Sequence, residues 1–272
     1  MREGHAAGVT CSIRWGNSCR LVAIGALGYS TIVARGWQDG AMGNNKVHPV
    51  RVANEQEFRK LLDHLAIEAS RALDHWRLFK ELRRAIKAYA PEVTESQTFW
   101  FLTLRGHADD VLFRLSRLYD QQEQALGLKK FLVTVKNNIS FFSEDAIRQR
   151  LGSNPYANNL VRKLNLQTLG NDLRYVCADR DSTVRRLWKL RNESVFHVAP
   201  NPIRLGDVAK LPWLKDVEID RLLNRACRIL NRYSVVFRAV WFSGQIVGHK
   251  DYRRLLDLVR LGLQFEATQR LQ

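Results

Sequence analysis

Within Ser182–Pro202 (STVRRLWKLRNESVFHVAPNP), Val184, Leu187, Trp188 and Val195 form an apolar stripe advancing in helical steps, and the position that continues it is Arg191. A guanidinium in such a seam is costly unless a partner or an interface receives it. Two readings of Arg191 therefore stand side by side. It is paired with a core carboxylate such as Asp110 or Asp172, or it faces a ligand. His197 lies six residues further on, which is 240° around a helix axis, so the two side chains do not converge on one straight helix. Convergence requires the helix to bend or end before Pro200, or a second copy of the chain. Two-fold pairing of the stripe would put two arginines and two histidines in one groove. Arginine suits bidentate phosphate binding, and a histidine titrating near neutrality suits general acid–base work. Such a pair can cleave RNA without a metal. A base takes the ribose 2′-proton, the 2′-oxygen attacks phosphorus, and arginine offsets the growing charge.

The charge around these residues suits that substrate. The 272-residue chain carries 43 Lys+Arg against 27 Asp+Glu, a formal net charge of +16, which points to a polyanionic partner or to solvated basic helix faces. Residues 148–191 contain 10 Lys/Arg and 3 Asp/Glu, a net +7 leading into Arg191. Arg185, Arg186 and Lys189, on the same segment as Arg191, are the expected RNA-binding residues.

Other chemistry is sparse. The sequence has no GxxxxGK[ST], GxGxxG or HExxH motif. Its seven histidines are scattered, with none paired at metal-ligand spacing. His64 and His75, eleven residues apart, read as two surface histidines. Asp109 and Asp110 point about 100° apart on a helix and make no joint site. Asn138 and Asn192 begin glycosylation-type triplets, which mean nothing in a cytosolic chain. We expect no metal and no cofactor. No run of 18 or more apolar residues occurs, and four cysteines without CxxC spacing fit a reducing cytoplasm.

These residues must be positioned by helices. Apolar spacings of three and four over Glu55–Tyr89 predict a long amphipathic helix capped by Asn54 and stopped by Pro91. Further helices are expected over Ser96–Tyr119, Leu126–Phe142, a short piece from Ser143 to Leu151, Asn158–Cys177, Ser182 (as cap) to Phe196, Glu218–Trp241 and Tyr252–Gln269. Pro200, Pro202 and Pro212 mark a loop. No alternating window reads as a strand, so the fold class is an all-α bundle.

Residues 1–41 differ from this body. They hold 7 of the 16 glycines and 2 of the 4 cysteines, and no hydrophobic period. Arg2, Arg14 and Arg20 ahead of the apolar Leu21–Ala34 loosely imitate a signal peptide. The preferred reading is a disordered or spurious extension over 1–45, with translation beginning at Met42 and a helical domain over 46–272. Removing the +2 of residues 1–41 leaves +14 on the remaining 231 residues.

RNESVFH at Arg191–His197 resembles the R-N-x-x-x-x-H signature of HEPN domains, small all-α bundles that include many metal-independent ribonucleases. HADDVLFRLSRLYD at His107–Asp120, some 70 residues earlier, resembles a helix of the AbiU-type HEPN proteins of bacterial abortive infection. The resemblance covers about residues 50–260. It implies a HEPN-like antiparallel helical bundle with additional peripheral helices, and a homodimer whose composite groove brings Arg191 and His197 of both copies onto one RNA. Arg191 would bind the scissile phosphate, His197 act as general acid or base, and Asn192 orient the site. Asp110 and Asp120 match the second stretch, and helix packing or a salt bridge to Arg191 explains them. The expected function is an endoribonuclease of phage defence, or the toxin of a toxin–antitoxin pair restrained by a cognate antitoxin. The alternative is a non-catalytic HEPN module that binds RNA, nucleotide or a partner protein.

Overall fold

A computed structural model describes residues 47–152, 154–192, 213–243 and 250–271. The expectations placed on residues 1–45, on Val195 and His197, and on the three-proline loop but for Trp213 onward, lie outside the described residues.

The long amphipathic helix is α1, Glu55–Ala88. Asn54 Oδ1 accepts from the Glu57 N–H at 3.0 Å, and Glu57 Oε2 accepts from the Ala53 N–H at 2.8 Å. Two orphan donors are thus satisfied reciprocally at its start. Its inward stripe buries Phe58, Leu62, Leu65, Ala69, Ala72, Trp76, Phe79 and Leu82. Pro91 does not stop α1 directly. The helix ends at Ala88, and Pro91 sits in the first turn of the short α2, Ala90–Thr94, where a missing N–H costs nothing.

Helix α3, Gln97–Leu118, returns along α1 and buries Trp100, Leu104, Ala108, Val111, Leu112, Leu115 and Leu118. His107 meets His75, and Arg117 meets Glu68, so the two helices run antiparallel. Helix α4, Leu128–Asn137, is shorter than expected. Asn138 Nδ2 donates to the Thr134 carbonyl at 2.8 Å, ending the α-helix, and Ile139–Phe142 continues as a 3₁₀ turn. Ser143 caps α5, Glu144–Leu151, as its sequence predicts, and Gly152 closes it with φ 53°.

The helix expected over Asn158–Cys177 is two pieces, α6 (Ala157–Leu160) and α7 (Leu166–Tyr175). Asn165 accounts for the break. Its side chain accepts from the Thr168 N–H at 2.9 Å and starts α7 afresh. Helix α8 spans Ser182–Leu190, α9 spans Asp216–Arg238, and α10 spans Asp251–Arg270.

Helix α9 lies antiparallel to α1, through Trp76 Nε1 donating to Asp220 at 2.7 Å and through the Arg83–Asp216 and Arg238–Asp63 pairs. The core is continuous between α1, α3, α4 and α9, with the Phe58 ring meeting those of Phe131, Phe142 and Phe237 at one end. Helix α10 is peripheral. It holds α2 and the end of α1 through Arg260–Glu92 and Tyr89 Oη–Asp257. The described residues contain helices and no strand, and no described helix is long and apolar enough to cross a membrane.

Candidate functional site

Helix α8 carries the chain into the candidate site. Its cap is Asp181 rather than Ser182. The Asp181 carboxylate accepts from the Thr183 and Val184 N–H groups at 2.9 and 3.0 Å and pairs with Arg225 at 2.9 Å. A charged acceptor satisfies the exposed amides and also complements the positive end of the helix dipole. Arg225 Nη1 in turn donates to the Tyr175 carbonyl at 2.6 Å, tying α7, α8 and α9 together. Thr183, Val184, Leu187 and Leu190 face inward against α3 and α9.

At Arg191–Asn192 the helix passes into a π turn. The Arg191 N–H bonds the carbonyls of both Leu187 and Trp188. Arg191 keeps α-helical dihedrals, φ −56° and ψ −50°, so its side chain continues the stripe and must find a partner there. The Arg191 side chain is only 12% exposed. Its Nη1 donates to Asp120 Oδ1 at 2.8 Å, with Asp120 10% exposed, and its Nη2 donates to Gln122 Oε1 at 3.3 Å. The carboxylate partner is therefore neither Asp110 nor Asp172. Asp110 is taken by Arg114 at 2.6 Å, and Asp172 by Arg232 and by the Tyr233 hydroxyl at 3.0 Å.

Asp120 and Gln122 both come from the loop between α3 and α4, which is tightly built. Asp120 Oδ1 also accepts from the Gln122 N–H at 3.0 Å. Gly127 closes the loop so closely that a Cβ there would lie 2.3 Å from the Asp120 carbonyl oxygen. Just before the loop, the buried Tyr119 hydroxyl donates to the Leu222 carbonyl at 2.8 Å, and burial pushes its pKa upward. The carboxylate that faces Arg191 is thus anchored by backbone on both sides.

Asn192 is half-buried beside Arg191; His197 lies outside the described residues. Arg185 spends its guanidinium on the carbonyls of Ala178 and Asp179, both at 3.1 Å. Arg186 pairs with the buried Glu218 at 2.7 Å, while Lys189 is exposed. Much of the basic run before Arg191 is likewise engaged within the protein. Arg148 and Lys163 pair with Glu144, and Arg150 pairs with Glu55 and donates to the carbonyls of Phe141 and Phe237.

The histidines are not all scattered. The packing of α3 on α1 brings His75 Nδ1 within 3.2 Å of His107 Nδ1, and Asp110 lies 3.4 Å from His75. No spacing rule within one helix reveals a pair separated by 32 positions. Burial, and then the His75 charge, lower the pKa of His107, with Asp110 opposing. No group of three or more His, Cys, Asp or Glu among the described residues could hold a metal ion. Cys177 and Cys227 are free thiols whose pKa burial raises, a setting that suppresses nucleophilicity.

Comparison with known proteins yields one family. The family model for HEPN AbiU2, described as AbiU2, matches residues 55–255. No curated protein and no solved structure matches the chain.

Proposed function

Since the chain belongs to the HEPN AbiU2 family, we propose that it is a metal-independent endoribonuclease of abortive-infection phage defence, acting as a homodimer. What supports this reading is one contact. The two stretches that resemble the family, His107–Asp120 and Arg191–His197, are 71 positions apart at their nearest functional residues, and they meet at the Arg191–Asp120 ion pair. The pair fixes the plane of the guanidinium at the point where the chain leaves α8 toward His197.

In the proposed reaction Arg191 holds the scissile phosphate and offsets the charge that grows on it. His197 removes the 2′-proton or protonates the 5′-leaving oxygen, and Asn192 orients the phosphate. The phosphate is then released from its 5′-oxygen as a 2′,3′-cyclic ester. The partner copy supplies a second Arg191 and His197 across the groove. Lys189, exposed on the same helix, joins Arg185 and Arg186 as the basic surface proposed for the RNA. A cognate antitoxin would restrain the activity, and the cytoplasm would be its compartment.

The same ion pair favours a second reading, a HEPN module that binds without cutting, because a carboxylate already engages Arg191. RNA cleavage in EDTA separates the two. The proposed enzyme cuts RNA with chelator present, and His197→Ala loses cleavage while retaining RNA binding. Cleavage unchanged by His197→Ala overturns the catalytic reading.

A further inference from the structure

Helix α9 ends in an unusual way. Ala239 caps it in the left-handed region, φ 56° and ψ 29°, a conformation that is uncommon for a residue with a Cβ. The turn sends residues 240–243 back along α9, where the buried Asn231 clamps them. Its Oδ1 accepts from the Phe242 N–H at 2.6 Å, and its Nδ2 donates to the Phe242 carbonyl at 3.2 Å. Arg238 stacks on the Phe242 ring with a 5.2 Å separation. Trp241, next in the chain to the clamped residue, remains 67% exposed.

Trp241 stands at the mouth of a cleft between α1 and α9 of about 290 Å³. The floor is apolar, with Ala69, Leu73 and Leu230, and the walls carry Ser70 and Asn224. Arg77 of α1 and Arg228 of α9 flank it, and both are exposed. Among the described residues neither makes an ion pair or a side-chain hydrogen bond, in contrast to Arg185 and Arg186. The nearby carboxylate, Asp74, has a buried Oδ1 with no partner; burial raises its pKa, and the charges of Arg77 and His75 oppose that.

We infer that this cleft binds a nucleoside phosphate, with its base stacked on Trp241 and its phosphate between Arg77 and Arg228. An exposed indole beside two arginines is a sequence-tolerant platform for a base. Two arginines without internal partners are phosphate forks. The volume is at the lower end of ligand sites and matches one nucleotide rather than a large cofactor. The ligand is a nucleotide of the RNA or a free mononucleotide. The inference rests on the proposed ribonuclease activity only for the first of these sources.

The test uses the full chain carrying His197→Ala, so that binding is read without cleavage. The probes are a fluorescein-labelled single-stranded RNA octamer, followed by anisotropy, and AMP, followed by calorimetry. Trp241→Ala is expected to weaken binding at least fivefold, and Trp241→Phe to retain most of it. Arg77→Ala with Arg228→Ala is expected to lower the salt dependence for the octamer by about 1.4 in log K against log salt. Circular dichroism checks that the variants stay folded. Octamer binding that depends on these residues identifies RNA as the source, and AMP binding alone identifies a free nucleotide. Binding of either probe that is indifferent to all three residues, or no binding at all, overturns the inference. If the cleft binds as expected while the chain with native His197 cuts no RNA, the ribonuclease reading fails and this one stands.

Discussion

Arg191 and Asp120 share a hydrogen-bonded ion pair of 2.8 Å in which neither side chain is more than 12% exposed. An ion pair this deeply covered is sensitive to loss of one member, because the survivor is left as an uncompensated buried charge.

Asp120→Ala is therefore expected to cost about 3–5 kcal/mol of unfolding free energy. Replacing both members with apolar residues, as in Arg191→Met with Asp120→Leu, should cost clearly less than the two single losses added together. Urea unfolding of Arg191→Met, Asp120→Leu and the double variant measures this. Additive losses would show that the two residues are energetically independent.

Gly127→Ala should destabilise the α3–α4 loop by about 1–3 kcal/mol, because the new methyl collides with backbone at Asp120 and not with a flexible side-chain end. Any RNA cleavage should fall with it, since the loop carries Asp120 and Gln122, which bond Arg191. Gly106→Ala is the control. Nothing lies within 4 Å of a Cβ there, and alanine favours the helix, so the melting temperature should hold or rise.

Removing the cap of α8 by Asp181→Ala should cost about 1–2 kcal/mol from the cap alone, and more because Arg225 loses its carboxylate. Asp181→Asn keeps an acceptor for the two amides and should recover part of the loss. Equal melting temperatures for the two variants would assign the whole effect to Arg225.

The burial of His107, together with the nearby His75 charge, gives stability a pH dependence of known sign. The folded-state pKa of His107 is lowered, so the folded chain binds fewer protons there than the unfolded chain does. The associated stability is present above the ordinary histidine pKa and is lost as pH falls below it, through the lowered folded value. The melting temperature of the native sequence minus that of His107→Gln should therefore decrease between pH 7.5 and pH 5.5. A difference that stays flat or increases contradicts the assignment.

The helical class was legible because it depends on spacing within single segments. Asn54 and Ser143 were legible as caps because the side chain that accepts is the first residue of each helix signal. Helix breaks were harder. Asn138 and Asn165 end and restart helices by capturing local backbone groups, and an asparagine in an apolar period looks no different from a surface position. The cap of α8 was misplaced by one residue because Ser182 and Asp181 both suit the role, and only the tertiary partner Arg225 distinguishes them. Arg191 was conspicuous as a charge in an apolar stripe, but its partner could not be chosen among distant carboxylates. The choice depends on how α8 docks on α3, a relation between segments and not within one. The same limit hid the His75–His107 contact and the cleft between α1 and α9.

The order in which the chain is made gives the Arg191–Asp120 pair a temporal meaning. At about 5–20 residues per second, the ribosome releases Asp120 roughly 4–14 s before Arg191. The helical hairpin of α1 and α3 can close in that interval from contacts already synthesised, with the Asp120 carboxylate waiting at its end. The nascent chain thus holds a receptor for the guanidinium well before the guanidinium exists.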